Sequence, residues 1–153
     1  MKSLELKVPP LALVLIAAVL MWWLEGFYPL AALAGRAGHL LALVSALCGI
    51  AVAAAGVIEF RRARTTLDPT NPDKACRVVS SGVFARTRNP MYLGFVLLLL
   101  GLCFWLADLT AFLMLAVFVR YLARYQIEPE ERLLLQKFGA EFESYTQQVG
   151  RWL

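Results

Sequence analysis

Long runs of hydrophobic residues and short polar stretches alternate along the chain. Four such runs cover about residues 8–24, 38–60, 90–107 and 109–125. A helix needs about 17–25 predominantly apolar residues to cross the hydrocarbon core of a bilayer, and each run approaches or meets that length. The pattern therefore predicts an all-α, polytopic membrane protein with four transmembrane helices, which we call spans one to four.

The last part of the chain, about residues 128–150, has a different pattern. Its apolar residues recur at steps of three or four, the period of one helix face: Leu134, Phe138, Phe142, Tyr145 and Val149. This predicts an amphipathic helix at the cytoplasmic surface, which lies in the headgroup plane or folds back over the ends of the spans. Pro129 fits its first turn, and we expect a break or bend at Gly139.

Composition agrees with a single membrane domain over residues 1–153. Of these residues 60% are hydrophobic and 17% charged, which is too apolar for an ordinary soluble domain. Cys48 and Cys103 fall in apolar runs and are interpreted as packing residues, whereas Cys76 lies in a loop. No group of residues has metal-ligand spacing, so we expect no metal site.

Charge is distributed unevenly between the two sides of the predicted bundle. The loop between spans two and three, residues 61–89, contains Arg61, Arg62, Arg64, Lys74, Arg77, Arg86 and Arg88 against only Asp68 and Asp73. Positive loops remain in the cytoplasm, so this loop is expected there, and an even number of spans places both termini there too. The clustered charge has no interleaved aromatic residues, so we expect no nucleic-acid partner.

The stretch "TRNPMYLG" at the beginning of span three has a possible binding chemistry. Asn89 suits an N-cap and Pro90 the first helical position, so the free amides of the helix would point to the cytoplasm. With Arg88 beside them, they can hold a carboxylate or a phosphate. Tyr92 offers a ring and a hydroxyl, and Gly94 allows close approach of a ligand or of another helix.

Structural explanations for these residues remain open. Arg88 can be one of the positive charges of a cytoplasmic loop, Tyr92 an interfacial anchor and Gly94 a packing contact. The same holds for the acidic group Glu128, Glu130 and Glu131, because negative charge is favoured in the first turn of a helix. The functional alternative is that a carboxylate here binds the ribose hydroxyls or the ammonium group of a cofactor.

Two stretches together resemble a known family. "SGVFARTRNPMYLG" and, after one helical hairpin, "EPEERLLLQKFGAEFESYTQQVGRWL" are similar to integral-membrane methyltransferases, which include isoprenylcysteine carboxyl methyltransferase and the phospholipid methyltransferases. The resemblance covers about residues 60–153 and is greatest to the short bacterial members. It implies S-adenosylmethionine as cofactor, a lipophilic acceptor that enters from the bilayer, and a place in the bacterial inner membrane.

The resemblance also implies which residues form the site. The residues that match the cofactor-binding elements are Arg88, Asn89, Pro90, Tyr92, Leu93, Gly94, Glu130, Glu131 and Leu134, while Phe138, Gly139, Tyr145 and Arg151 match the rest of the tail pattern. Asn89 replaces the histidine of the eukaryotic enzymes. Gln126 replaces a substrate-facing arginine of the prenylcysteine enzymes, which disfavours a prenylated carboxylate as the acceptor.

Methyl transfer from a sulfonium is an in-line displacement that depends on positioning and on exclusion of water, so it requires no metal and no catalytic triad. We expect Glu131 and Arg120 to act at the reacting centre. Arg120 lies roughly 16 Å along span four from Leu109, where a charge should face a cavity and contact the substrate, or snorkel towards the cytoplasm.

Two other functions are compatible with parts of this pattern. Membrane sterol reductases share elements like those above but bind NADPH, and a membrane interaction protein would bind no cofactor. The adjacent Glu130 and Glu131 and the short chain argue against a reductase.

Overall fold

The computed structural model describes residues 5–63 and 78–153, and all regular elements in this part of the chain are helical. The helices are α1 (Pro10–Trp23), α2 (Arg36–Arg62), α3 (Pro90–Leu106), α4 (Leu109–Leu122), α5 (Glu128–Phe138) and α6 (Ala140–Gln148). A 3-10 turn (Gly82–Ala85) precedes α3, and a π-helical turn (Ala123–Ile127) joins α4 to α5. The all-α prediction is confirmed.

Helices α1 to α4 lie within or close to the four predicted spans. Among the described helices, only α2, with 27 residues, is long and apolar enough to cross a membrane by itself, while α1 and α3 are apolar but shorter. The structure thus supports one spanning helix, and the other three spans stay predictions. Of the predicted cytoplasmic loop, residues 64–77 with Cys76 lie outside the described residues.

Glycines bring α2 and α3 into close contact. A Cβ atom at Gly94 would lie 2.7 Å from the carbonyl oxygen of Gly49 and 2.7 Å from the Cβ of Ala53. Gly56 similarly faces Pro90, whose Cγ would be 3.1 Å from an added Cβ. Gly49 and Gly56 thus admit α3 closely, because side chains at these positions would force the two backbones apart.

A second interface joins α1, α3 and α4 around buried apolar side chains, which include Met21, Leu99, Cys103, Ala111 and Leu122. Cys103 is a packing residue, as expected. Cys48 is not, because it lies on the exposed face of α2, so that part of the interpretation is wrong. Helical periodicity explains the difference, since α2 buries only the narrow face that carries its glycines.

Asp108 organises the end of the molecule where α3 turns into α4. Its carboxylate accepts hydrogen bonds from the backbone amides of Thr110 (2.8 Å), Gly26 (3.0 Å) and Tyr28 (3.0 Å). The first bond caps α4, and the other two fasten the segment that follows α1. Asp108 thus marks the short turn that the sequence predicts and also ties the α1–α2 connection to it.

The amphipathic tail folds back on the protein. Gly139, with φ of +53°, separates α5 from α6, so the predicted break is confirmed. The apolar residues Phe142, Tyr145 and Val149 are buried against Val78, Leu134 and Phe138. The hydroxyl of Tyr145 donates a hydrogen bond of 2.7 Å to the carbonyl of Phe84 in the 3-10 turn. Of the two arrangements predicted for the tail, the structure agrees with the one in which it folds back, because it packs against the segment that precedes α3.

Candidate functional site

The beginning of α3 is fixed by three neighbouring residues. Asn89 occupies the N-cap position and Pro90 the first helical position, as predicted. The Asn89 side chain makes no capping bond, and its Nδ2 donates to the carbonyl of Arg151 at 3.0 Å. The backbone amide of Asn89 donates instead to Oγ1 of Thr87 at 3.2 Å. The side chain expected to cap the helix therefore joins it to the chain end.

Residues 149–152 run along the loop that leads into α3. The amide of Arg88 donates to the carbonyl of Gly150 at 3.0 Å, and Oγ1 of Thr87 donates to the carbonyl of Arg151 at 3.5 Å. Trp152 packs against the apolar core formed by α1, α3 and α4. These contacts bring Arg151 to the beginning of α3, although 62 positions separate it from Asn89.

Three charged side chains meet where α3, α5 and the chain end converge. Glu131 accepts two hydrogen bonds from Arg151, from Nε at 3.2 Å and from an Nη at 2.6 Å. Its carboxylate also lies 3.3 Å from an Nη of Arg88. Only 14% of the Arg88 side chain and 18% of the Glu131 side chain are exposed. Since water is largely excluded, these charge-assisted contacts orient the side chains well.

Tyr92 and Glu130 form a second pair beside this cluster. The hydroxyl of Tyr92 donates to a carboxylate oxygen of Glu130. Burial, together with the charge of Glu131, raises the pKa of Glu130 to about 8, although the bond from Tyr92 acts in the opposite direction. Glu130 therefore holds a proton over much of the neutral range and can donate or accept a hydrogen bond.

Five predicted site residues come together in this arrangement: Arg88, Asn89, Tyr92, Glu130 and Glu131. The motif at the beginning of span three and the acidic motif after span four, which lie about forty residues apart in the chain, are thus in direct contact. The N-terminal amides of α3 and the Arg88 guanidinium provide positive potential, and the two glutamates provide hydrogen-bond acceptors.

Other predicted residues lie elsewhere. Gly94 and Pro90 face α2, and Leu134 packs in the tail cluster with Phe142. Leu93 is half-buried within α3. The side chain of Arg120 is exposed and makes no hydrogen bond or ion pair with another described residue, and the structure does not bring it to Glu131. Direct roles of these residues at the site stay predictions.

Sequence reasoning did not include Arg151, Thr87 or Gln126 among the site residues. Arg151 supplies the bidentate partner of Glu131, and Thr87 accepts from the amide of Asn89. Gln126 is 1% exposed and donates from Nε2 to the carbonyl of Val8 at 2.9 Å. For Arg151 a signal existed, because it is a charged residue that matches the tail pattern of the resembled family. A polar residue next to an apolar run was the signal at Gln126.

Metal-ligand groups and clefts are the other features that could indicate a site. No group of three or more His, Cys, Asp or Glu residues in this part of the chain could hold a metal ion. A shallow cleft of about 330 Å³ lies between α1 and α3 near Trp22 and Trp105, at the end of these helices that is remote from Arg88. The polar cluster at the beginning of α3 is therefore the candidate site.

Comparisons with known proteins identify the family. A family model described as phospholipid methyltransferase matches residues 37–141, more than half of the chain. A Haemophilus influenzae protein described as uncharacterized is 41% identical over 63 residues, which make up 41% of this chain and 100% of that relative. No solved structure matches. The matched region contains both motifs of the candidate site, and the resemblance noted in the sequence is confirmed: the chain belongs to the phospholipid methyltransferase family.

Proposed function

We propose that this protein is an S-adenosylmethionine-dependent methyltransferase, embedded in the membrane, that methylates a lipid or another lipophilic small molecule. One observation supports this most directly. In a chain of a methyltransferase family, Arg88 and Glu131 lie 3.3 Å apart, so the two motifs that the resemblance assigns to the cofactor form one site.

The residues of this site fit the polar groups of S-adenosylmethionine. Nε of Arg88 is buried and has no hydrogen-bond partner among the described residues, so it can donate to an anion such as the cofactor carboxylate. The free amides in the first turn of α3 favour the same charge. Glu130, which binds Tyr92 through one oxygen, can accept hydrogen bonds from ribose hydroxyls or from the ammonium group.

The cofactor would supply an electrophilic methyl group on a sulfonium. The protein would orient the reacting groups and exclude water from them. Arg88 and Glu130 would fix the two polar ends of the cofactor. Tyr92, which is 6% exposed, would exclude water from the side of α3. Because in-line transfer gains most of its rate from near-attack geometry, this set of residues is sufficient for an amine or thiolate acceptor that arrives without its proton.

The membrane arrangement is part of the proposal. We place α1 to α4 across the bilayer, with the site and both termini at the cytoplasmic surface and the acceptor in the adjacent leaflet. In this arrangement the exposed Arg120 lies near the end of α4, on a face shared with Val117, where its side chain reaches the headgroups by snorkelling. The bacterial inner membrane is the expected location.

Calorimetric titration of the purified protein in lipid nanodiscs tests the cofactor assignment. S-adenosylmethionine and S-adenosylhomocysteine should bind, and NADPH should not. Preference for NADPH would indicate a reductase, and absence of binding to all three would indicate an interaction protein. Arg88→Ala should weaken binding at least about tenfold, as expected for loss of a charged hydrogen-bond donor. Arg62→Ala is the matched control, because the Arg62 side chain is 74% exposed and pairs with Glu59 outside the site.

A second experiment tests the reaction. Membranes that contain the protein are incubated with S-adenosylmethionine labelled in its methyl group, and extracted lipids and small molecules are analysed by mass spectrometry. A labelled lipophilic product that disappears in Arg88→Ala but not in Arg62→Ala supports the proposal. If the wild-type protein binds the cofactor but labels nothing beyond the empty-vector control, methyl transfer to a lipophilic acceptor is refuted.

A further inference from the structure

The connection between α4 and the acidic motif is not a continuous α-helix. Between Ala123 and Ile127 the backbone forms a π-helical turn, in which the amide of Glu128 donates to the carbonyl of Ala123 five residues earlier. The turn thus holds one residue more than an α-helical turn would.

This extra residue decides which side chains of α5 face the site. In an α-helix, a shift of one residue rotates everything that follows by about 100°. In a continuous α-helix, Glu130 would take the direction that Glu131 has in the structure, and Glu131 would take that of Arg132. The pairing of Glu130 with Tyr92 and of Glu131 with Arg88 therefore requires the rotation of α5 that the π-turn provides.

Residues 5–8, which we call the N-terminal strap, hold this turn. The amide of Leu6 donates to the carbonyl of Tyr125 at 3.1 Å. The side chain of Gln126 donates from Nε2 to the carbonyl of Val8 at 2.9 Å, and Arg132 forms an ion pair with Glu5. The strap therefore contacts both the π-turn and α5.

Among the described residues that join the strap to the π-turn and α5, only Gln126 contributes a buried polar side chain. An apolar residue at this position would fill the space but leave the carbonyl of Val8 without this donor, and an unpaired buried acceptor is costly. Gln126 makes no contact with Arg88 or Glu131 through its own hydrogen bonds. Any effect on the site must pass through the backbone of the π-turn and α5.

We propose that Gln126 is a positioning residue: by fastening the π-turn to the N-terminal strap, it sets the rotation of α5 that brings Glu130 to Tyr92 and Glu131 to Arg88. The inference rests on the proposed function insofar as it concerns cofactor binding. It also makes a claim about the position of Glu130 that holds without any cofactor, and this allows the two to be tested separately.

The first test uses Gln126→Met and Gln126→Glu and measures S-adenosylhomocysteine binding by calorimetry in nanodiscs. Gln126→Met keeps the length of the side chain but lacks the donor, and we expect at least about tenfold weaker binding. The carboxyl introduced by Gln126→Glu can donate to Val8 only when it is protonated. Relative to wild type, the affinity of this variant should be nearly normal at acidic pH and should fall as the pH rises and the introduced carboxyl ionises.

Dividing the affinity of the variant by that of the wild-type protein at each pH cancels the effect of the titrating groups that both proteins share. The charged groups around the turn are Glu5, Arg124, Glu128 and Arg132, and they are the same in both proteins. Gln136→Glu is the matched control, because Gln136 is exposed on α5 and the substitution is chemically identical. A ratio that does not depend on pH in Gln126→Glu, or wild-type affinity in Gln126→Met, would overturn the inference.

The second test needs no cofactor. Difference infrared spectroscopy follows the carboxyl stretch of protonated Glu130 as the pH is changed, with Glu130→Gln used to assign the band. Tyr92 from α3 and Glu131 from α5 are the groups that act on Glu130 in the structure. Gln126→Met should move its titration towards that of an ordinary glutamate, because α5 rotates and Glu130 leaves its site beside Tyr92 for one beside Arg88. An unchanged titration refutes positioning by Gln126, even if the wild-type protein binds no cofactor.

Discussion

Glu131 uses most of its hydrogen-bonding capacity on two arginines. A carboxylate has about four lone-pair directions, and Arg151 takes two of them while Arg88 approaches a third. Glu131 thus has little capacity left for a ligand, and its contacts are suited to holding Arg88 in place. Glu130, with one bond from Tyr92, has more capacity. We therefore expect the neighbouring glutamates to differ, with Glu131 orienting the site and Glu130 contacting the ligand.

Arg151 offers a direct test of this division. Arg151→Lys keeps the positive charge but cannot form two parallel hydrogen bonds to Glu131, so Arg88 should become less well held. We expect S-adenosylhomocysteine affinity to decrease about three- to tenfold, or roughly 1 kcal/mol, in calorimetric titrations. Arg62→Lys, at an exposed ion pair, should bind like wild type. Equal affinities in all three proteins would contradict the orienting role.

Glu130 should make stability depend on pH in a defined direction. Its pKa is about 8 in the folded protein against an ordinary 4.5, so the folded state holds the proton more tightly than the unfolded state. Stability should therefore decrease as the pH rises from about 4.5 to about 8. Melting temperatures in detergent across this range should decline less steeply for Glu130→Gln than for wild type. Parallel curves for the two proteins would show that Glu130 titrates normally.

The helices illustrate what a single sequence can predict. Proline at the first position of α3, the break at Gly139 and the close helix contact at Gly94 follow from local steric rules, and each appears in the structure. The π-turn at Ala123–Ile127 was not predicted. It depends on contacts with the N-terminal strap, 118 residues distant at Gln126, and no local period encodes such a contact.

The candidate site likewise has some features that the sequence predicts and others that depend on long-range contacts. The resemblance to the membrane methyltransferases implies one site that contains both Arg88 and Glu131, and the two side chains do meet. The bidentate partner Arg151 was not predicted, because its position depends on how the chain end packs beside Thr87. The prediction for Arg120 rests on its charge within an apolar run, and such a run does not reveal which face of α4 is exposed.

The α2–α3 interface should tolerate no added side-chain atoms at Gly94. In Gly94→Ala the new methyl group would lie 2.7 Å from both Ala53 Cβ and the carbonyl of Gly49, so the helices must separate. We expect a loss of about 1–3 kcal/mol, measured as a lower melting temperature in detergent. Ala54→Val is the control on the exposed face of the same helix pair and should change stability much less. A fully stable Gly94→Ala would contradict the close packing.

In the molecule as a whole, two polar clusters lie at opposite ends of α3. Asp108 fastens one end, and the candidate site lies at the other, roughly 25 Å away along 17 residues. Asp108→Ala removes the acceptor for three backbone amides and should destabilise the protein by about 2–4 kcal/mol in thermal unfolding. Affinity for S-adenosylhomocysteine, measured well below the melting temperature, should remain within about twofold of wild type. A large loss of affinity would show that the two ends are coupled.

The orientation that the charge distribution predicts for the whole molecule can be tested with thiol chemistry. In a variant whose three cysteines are replaced by alanine, Ser81→Cys places a thiol beside the basic loop, and Ala32→Cys places one in the α1–α2 connection. Both positions are exposed. With four spans and a cytoplasmic loop, a membrane-impermeant maleimide should label Ala32→Cys in intact spheroplasts and Ser81→Cys only in inverted vesicles. Labelling of both from one side would mean that α2 does not separate them, and since α2 is the helix best suited to cross a bilayer, the four-span arrangement would then have to be abandoned.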